Sequence, residues 1–304
     1  MVVATCFRLL FADSRFAAAL TMAALGPVLV LVAERAAVRA RGLREAIDEP
    51  LLALVTLVSG AAFLRGWILT SWVFLHIEEG LVIVAAIVAV WCVTARRAVG
   101  TAAAVGLSIG AKASGVLLLP LLACFPRRQM VQAAAVAAAL AGGAWLPFLA
   151  ADTGTIETAR GKVGIFAASG LRVLGVDSPW PPGWVRPTQV VLGLVLGVLA
   201  VWRGRWQGVV LVVFAVRLAL DPSTSPYYTP LLACGALVWD LAGRRPLPIW
   251  TPLVVATHVL LPRLGAGPDL EGIARLAVAV AAIAAVLALP TRRVGAVGRT
   301  PSPA

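Results

Sequence analysis

Long apolar runs, interrupted at short intervals by single charges or arginine pairs, dominate the chain. They fall at about 16–33, 51–73, 80–95, 101–124, 130–149, 188–202, 207–220, 227–242, 247–262 and 272–290. Such runs predict membrane helices, since roughly 20 apolar helical residues match about 30 Å of hydrocarbon. Several are too short for that. A run of about 15 residues makes only about 22 Å of helix, so some helices are expected to stop around a protein-lined, water-accessible cavity, where lipid does not meet the exposed backbone. The fold class is therefore all-α, a polytopic membrane bundle of about 10–11 helices. Residues 1–290 read as one transmembrane domain and 291–304, ending RTPSPA, as a disordered cytoplasmic tail.

Topology turns on 101–124, TAAAVGLSIGAKASGVLLLPLLAC, which carries Lys112 and Gly115 at its middle and has Arg96, Arg97, Arg127 and Arg128 at its flanks. As a hairpin of two half-length helices it places about two thirds of the basic residues on one side of the membrane. As a single span it divides them evenly, so the positive-inside rule favours the hairpin. The side opposite the arginine pairs then collects HIEEG at 76–80, the loop 150–187, DPSTSPYYTP at 221–230 and the segment 263–271.

Composition narrows the class. With 61% hydrophobic and 13% charged residues, and a mean hydropathy of +0.94, one water-soluble domain is excluded, and no polar stretch is long enough for a separate catalytic domain. The net charge of +12 would suit nucleic acid, but the arginines stand in pairs between apolar runs instead of along one face, so they read as topology signals. Cys6, Cys92, Cys124 and Cys234 form neither a disulfide framework nor a C-x-x-C pattern. The N-terminal MVVATCFRLLFADSR lacks the basic region and cleavage site of a secretory signal, so it is expected to be retained.

Candidate chemistry lies on the outer side. His76, Glu78 and Glu79 close a tight turn, where carboxylates serve as general base or, with the imidazole, as ligands of a divalent cation; a solvated polar turn is the plainer reading. Lys112 at a hairpin tip could bind a phosphate as a point charge, or snorkel to water without a ligand. The long loop offers Arg160 and Lys162 as further cations, and Trp180 and Trp184 as a sugar platform or as interfacial anchors. Arg217 and Asp221 are one helical turn apart and can pair. Tyr227 and Tyr228, the only tyrosines, could line a substrate groove beside Asp221. Arg65 snorkels or serves a function, and His258 reads as a hydrogen-bonded core residue. Among the carboxylates, the Glu78 and Glu79 pair on its short turn is expected to supply the base in preference to Asp152 or Asp221. Walker A, G-x-S-x-G and H-E-x-x-H patterns are absent.

The order of these features, HIEEG, an arginine pair, GLSIGAKASGVLLLPLLACFPRR, WLPFL, a long outer loop and DPSTSPYYTPLL, resembles the GT-C glycosyltransferases. It is most similar to the actinobacterial glycosyltransferase family 87, polyprenol-phosphate-mannose-dependent α-mannosyltransferases, through Gly106, Gly110, Lys112 and Pro120. The resemblance covers about 50–290. It implies a plasma-membrane enzyme of the cell envelope with an extracytoplasmic active face. The implied reaction is inverting transfer of a sugar, mannose in that family, from polyprenyl phosphate to a glycolipid or glycan acceptor. Family members begin with one more helix and an acidic outer loop, so this chain is expected to lack them, and Asp13 does not align with the family's acidic residue. Two other classes stay open, a transporter or lipid flippase and a non-catalytic membrane protein.

Overall fold

The computed structural model describes residues 14–41, 49–152, 154, 163–243 and 246–288. In chain order the helices are α1 (Ser14–Arg41), α2 (Glu49–Ile68) with a π-helical turn at Leu69–Val73, α3 (Ile77–Thr94), and α4 (Ala98–Ala111) followed by a 3₁₀ stretch at Ala113–Cys124. Then come α5 (Arg127–Ala151), the short α6 (Gly170–Val173), α7 (Val185–Trp202), α8 (Val209–Ala219), α9 (Thr229–Ala242), α10 (Trp250–Val255) with a π-helical turn at Ala256–Leu260, and α11 (Pro268–Ala288). No strand occurs among the described residues. The tail at 291–304, the N-terminal segment with Asp13, and Arg160 and Lys162 lie outside the described residues.

Among the described residues six helices are long and apolar enough to cross a membrane: α1, α2 with its π turn, α3, α5, α7 and α11. The other runs among the 10–11 helices expected form shorter elements, as their length implied, and burial shows how these are accommodated. In α8 only Leu218 and Ala219 escape full burial, and in α9 every residue except Trp239 is buried. A helix that is apolar on all sides is enclosed by other helices, and once enclosed its length need not match the bilayer. At Gly235 a Cβ would lie 2.5 Å from the Leu211 backbone, so α8 and α9 touch backbone to backbone, the close approach that small residues allow between membrane helices.

The 101–124 run folds back on itself. Lys112 is extended, with φ −156° and ψ 135°, and ends α4; a Cβ at Gly115 would lie 2.2 Å from Ser108 Oγ and 2.5 Å from Ser108 O. At the far ends, Arg96 is close enough to Cys124 to act on it electrostatically. The second arm is 3₁₀ instead of α, with Pro120 in its middle. Twelve residues of 3₁₀ rise about 24 Å and fourteen of α about 21 Å, which matches the arms. Gly115→Ala should therefore wedge the hairpin open and destabilise the protein by about 1–3 kcal/mol. A wild-type thermal midpoint for this variant in detergent would show that the arms do not press together at Gly115.

Charge separates along the bundle axis. At one end Arg41 donates to the carbonyls of Leu241 and Gly243, Arg203 donates to Leu287 O, Arg205 donates to Val286 O, and Arg39 lies over Trp91. These guanidiniums cap carbonyls that α9 and α11 leave unpaired at their C-termini, where the helix dipole also favours cations. Glu78, Glu79, Lys112, Arg217 and Asp221 gather at the opposite end. Asp240, next to the Leu241 carbonyl that Arg41 caps, is a buried acid at the basic end: it accepts from Ser59, from the backbone N–H groups of Trp250 and Thr251, and from the Thr251 hydroxyl, and so caps α10.

Candidate functional site

The site begins where α2 gives way to α3. The π turn at Leu69–Val73 leads into Leu75 at φ +52°, a conformation uncommon for a residue with a side chain and the kind of local strain that often marks functional turns. Three hydrogen bonds pin the turn: Phe74 N to Leu69 O, His76 N to Thr70 O and Ile77 N to Leu75 O. Thr70 also donates its hydroxyl to Tyr227 O. This ties the start of α3 to the segment before α9.

Glu78 and Glu79 then diverge. Successive helical residues point about 100° apart, so one carboxylate faces the turn and the other the interior. Glu78 Oε1 is 2.9 Å from His76 Nδ1 and side-chain exposure is 41% for Glu78 and 31% for His76, leaving the pair within reach of a ligand. Glu79 is fully buried. Its Oε1 accepts from Lys112 Nζ at 2.5 Å and from Arg217 Nη2 at 3.2 Å. Glu79 Oε2 and Arg217 Nη1 are buried without a hydrogen-bond partner.

Lys112 reaches this point because the extended residue between the hairpin arms projects it from the tip, where Glu78 Oε1 also lies 3.9 Å away. Arg217 comes from the last turn of α8 and pairs with Asp221 at 3.9 Å, while Arg186 from α7 reaches the same carboxylate at 3.5 Å. Asp221 Oδ1 accepts from Ser223 N. Tyr228 lies beneath both cations, 5.4 Å from Lys112 Nζ and 5.0 Å from Arg217 Cζ. Burial, followed by its hydrogen bond with Tyr227, raises the Tyr228 phenol well above its ordinary range, so it stays neutral. Tyr227 stacks on the His76 ring at 3.8 Å.

Most of the residues singled out from the sequence thus meet: His76, Glu78, Glu79, Lys112, Asp221, Tyr227 and Tyr228. Trp180 and Trp184 do not join them. They stand half-exposed before and at the start of α7, and among the described residues no ring contact links them to the cluster, a position suited to a headgroup layer. Asp152 ends α5, with its Oδ1 accepting from Gly154 N. His258 is buried, with Nδ1 near Thr257 Oγ1 and Val254 O. Among the described residues no group of three His, Cys, Asp or Glu side chains is placed to hold a metal ion.

Arg217 and Arg186 are the site residues that sequence reasoning missed. The Arg217–Asp221 spacing pointed to local pairing, which occurs, but the link from Arg217 to Glu79 crosses 138 positions and no local spacing encodes it. A cation near the end of a wholly apolar helix was the available signal. The arrangement can do two things chemically: hold negative charge near Lys112 and Tyr228, and take up a proton at His76. No protein-family model, no curated protein and no solved structure matches this chain.

Proposed function

We propose that this protein is a membrane glycosyltransferase, transferring a sugar from a polyprenyl phosphate to a hydroxyl of a glycolipid or glycan acceptor. The basic end of the bundle faces the cytoplasm under the positive-inside rule, and the His76 end faces outward. The observation that carries the reading is the meeting of Lys112, at the tip of a short hairpin, with the half-exposed His76–Glu78 pair. Glu78 holds Nδ1 of the imidazole and leaves Nε2 free as an acceptor. In the transfer the acceptor oxygen attacks the anomeric carbon and its proton passes to Nε2. The bond from that carbon to the phosphate oxygen breaks, and polyprenyl phosphate departs with its charge beside Lys112. Glu79 and Arg217 position Lys112, and mannose is the sugar suggested by the resemblance at Gly106, Gly110, Lys112 and Pro120.

Lys112 supplies the test. In membranes given polyprenyl-phosphate mannose, Lys112→Ala should raise the donor KM about tenfold, the loss of roughly one charge-assisted contact. Lys112→Arg should recover part of it, because charge is kept while the point geometry is not. Unchanged KM and kcat in Lys112→Ala would reduce the residue to a structural partner of Glu79. A second reading, a transporter, is favoured by the buried Glu79, Lys112 and Arg217 group at a helix break. Proteoliposomes that move a lipid or solute but transfer no sugar would select it.

A further inference from the structure

Beside Asp221 and Tyr228, a small open cleft lies among α6, the end of α8, the 221–229 segment, the π turn at Ala256–Leu260 and α11. Ser169, Ser225, His258 and Arg275 also line it. Arg275 is only 8% exposed. Its Nη2 lies 3.4 Å from Glu271 Oε2, one turn back on α11, while Nε and Nη1 are buried with no hydrogen-bond partner.

An arginine in such a place is costly. A guanidinium stripped of water needs its donors filled, and a phosphate oxygen meets such a donor in a strong, charge-assisted hydrogen bond. Hydroxyls stand ready to add to this. Ser223 donates to Ser225 Oγ, and Ser169 Oγ accepts from Arg172 N, which leaves the hydroxyl hydrogens of Ser225 and Ser169 available to donate. The one carboxylate on the cleft wall, Asp221, accepts from Ser223 N at Oδ1, and its Oδ2, which accepts no hydrogen bond, lies 3.5 Å from Arg186 and 3.9 Å from Arg217, so the two cations offset part of its repulsion of an anion.

We propose that this cleft is an anion site in which Arg275 binds a phosphate group through a donor that the protein leaves unfilled. The phosphate belongs either to a lipid headgroup or to free phosphate. Glu271 competes for the same guanidinium, so removing its charge frees Nη2 and strengthens the site. The proposal concerns binding and does not depend on sugar transfer.

The full chain, purified in an uncharged detergent, provides the test through its thermal midpoint during titration with dodecyl phosphate or inorganic phosphate, with sodium chloride at matched ionic strength. Wild type should be stabilised, Arg275→Gln should lose the shift, and Arg275→Lys should keep it at a several-fold higher half-saturating concentration. Glu271→Gln should saturate at a several-fold lower concentration, which a purely structural arginine would not produce. A shift with dodecyl phosphate alone assigns a lipid headgroup, and an Arg275-dependent shift with inorganic phosphate assigns the free ion. No shift in wild type with either probe overturns the site, as does equal stabilisation of wild type and Arg275→Gln. If Arg275→Gln does not fold, Arg275→Lys and Glu271→Gln decide, and half-saturation unchanged in both overturns it.

Discussion

Glu79→Ala is expected to destabilise the protein by about 3–5 kcal/mol, the usual consequence of removing one member of a buried ionic group and leaving the rest uncompensated. Arg217 is the sharper part of the penalty. Its side chain is 6% exposed, and Asp221 at 3.9 Å is too distant to replace the Glu79 contact. Lys112, with a quarter of its side chain exposed, can turn toward water and adds less. Replacing all three residues together, Glu79→Leu with Lys112→Met and Arg217→Met, should restore most of the lost stability, because a well-packed apolar group costs no desolvation. Thermal unfolding in detergent checks both statements. A Glu79→Ala midpoint close to wild type would mean that Glu79 does not bind the two cations, and a triple variant less stable than Glu79→Ala would mean that the charges are needed for folding itself.

This consequence separates Glu79 from Glu78, and shows where local sequence reasoning reaches its limit. The apolar runs, the break at Lys112 and the segregation of arginines were legible because each depends on neighbours in the chain: hydrocarbon length, one charge within an apolar run, and side counting. The pairing partner of Glu79 was not. Read from the sequence, Glu78 and Glu79 form one acidic pair that supplies the base; helical geometry turns one to the half-exposed turn and the other into the core, where two cations meet its Oε1. The enclosure of the shorter apolar helices was hidden for a related reason. Runs such as 207–220 and 227–242 are as apolar as a span, and only the packing of α8 against α9 shows that protein, not lipid, surrounds them. Arg275 and Asp240 were likewise hidden, because their surroundings come from segments distant in the chain.

His76→Ala is expected to lower kcat for sugar transfer by about 10²–10⁴-fold, the range associated with a positioned general base, with the donor KM little changed. The division follows from position. His76 stands on the turn that closes against Tyr227, with Nδ1 committed to Glu78 Oε1, so in the proposed reaction its contribution is proton transfer at Nε2, whereas that of Lys112 is to the phosphate and to KM. Glu78→Gln should give an intermediate loss of kcat, since the amide can still hydrogen-bond the ring but no longer fixes which nitrogen carries the proton. Tyr227 offers a control. Tyr227→Phe keeps the 3.8 Å stack and should retain near-wild-type turnover, while Tyr227→Ala frees the ring and should fall toward the Glu78→Gln level. These measurements need variants matched for folded yield, a condition that His76 and Glu78 meet more readily than Glu79 because both are part-exposed. If His76→Ala retains a tenth or more of wild-type kcat, His76 is not the base, and the role passes to a carboxylate such as Asp152.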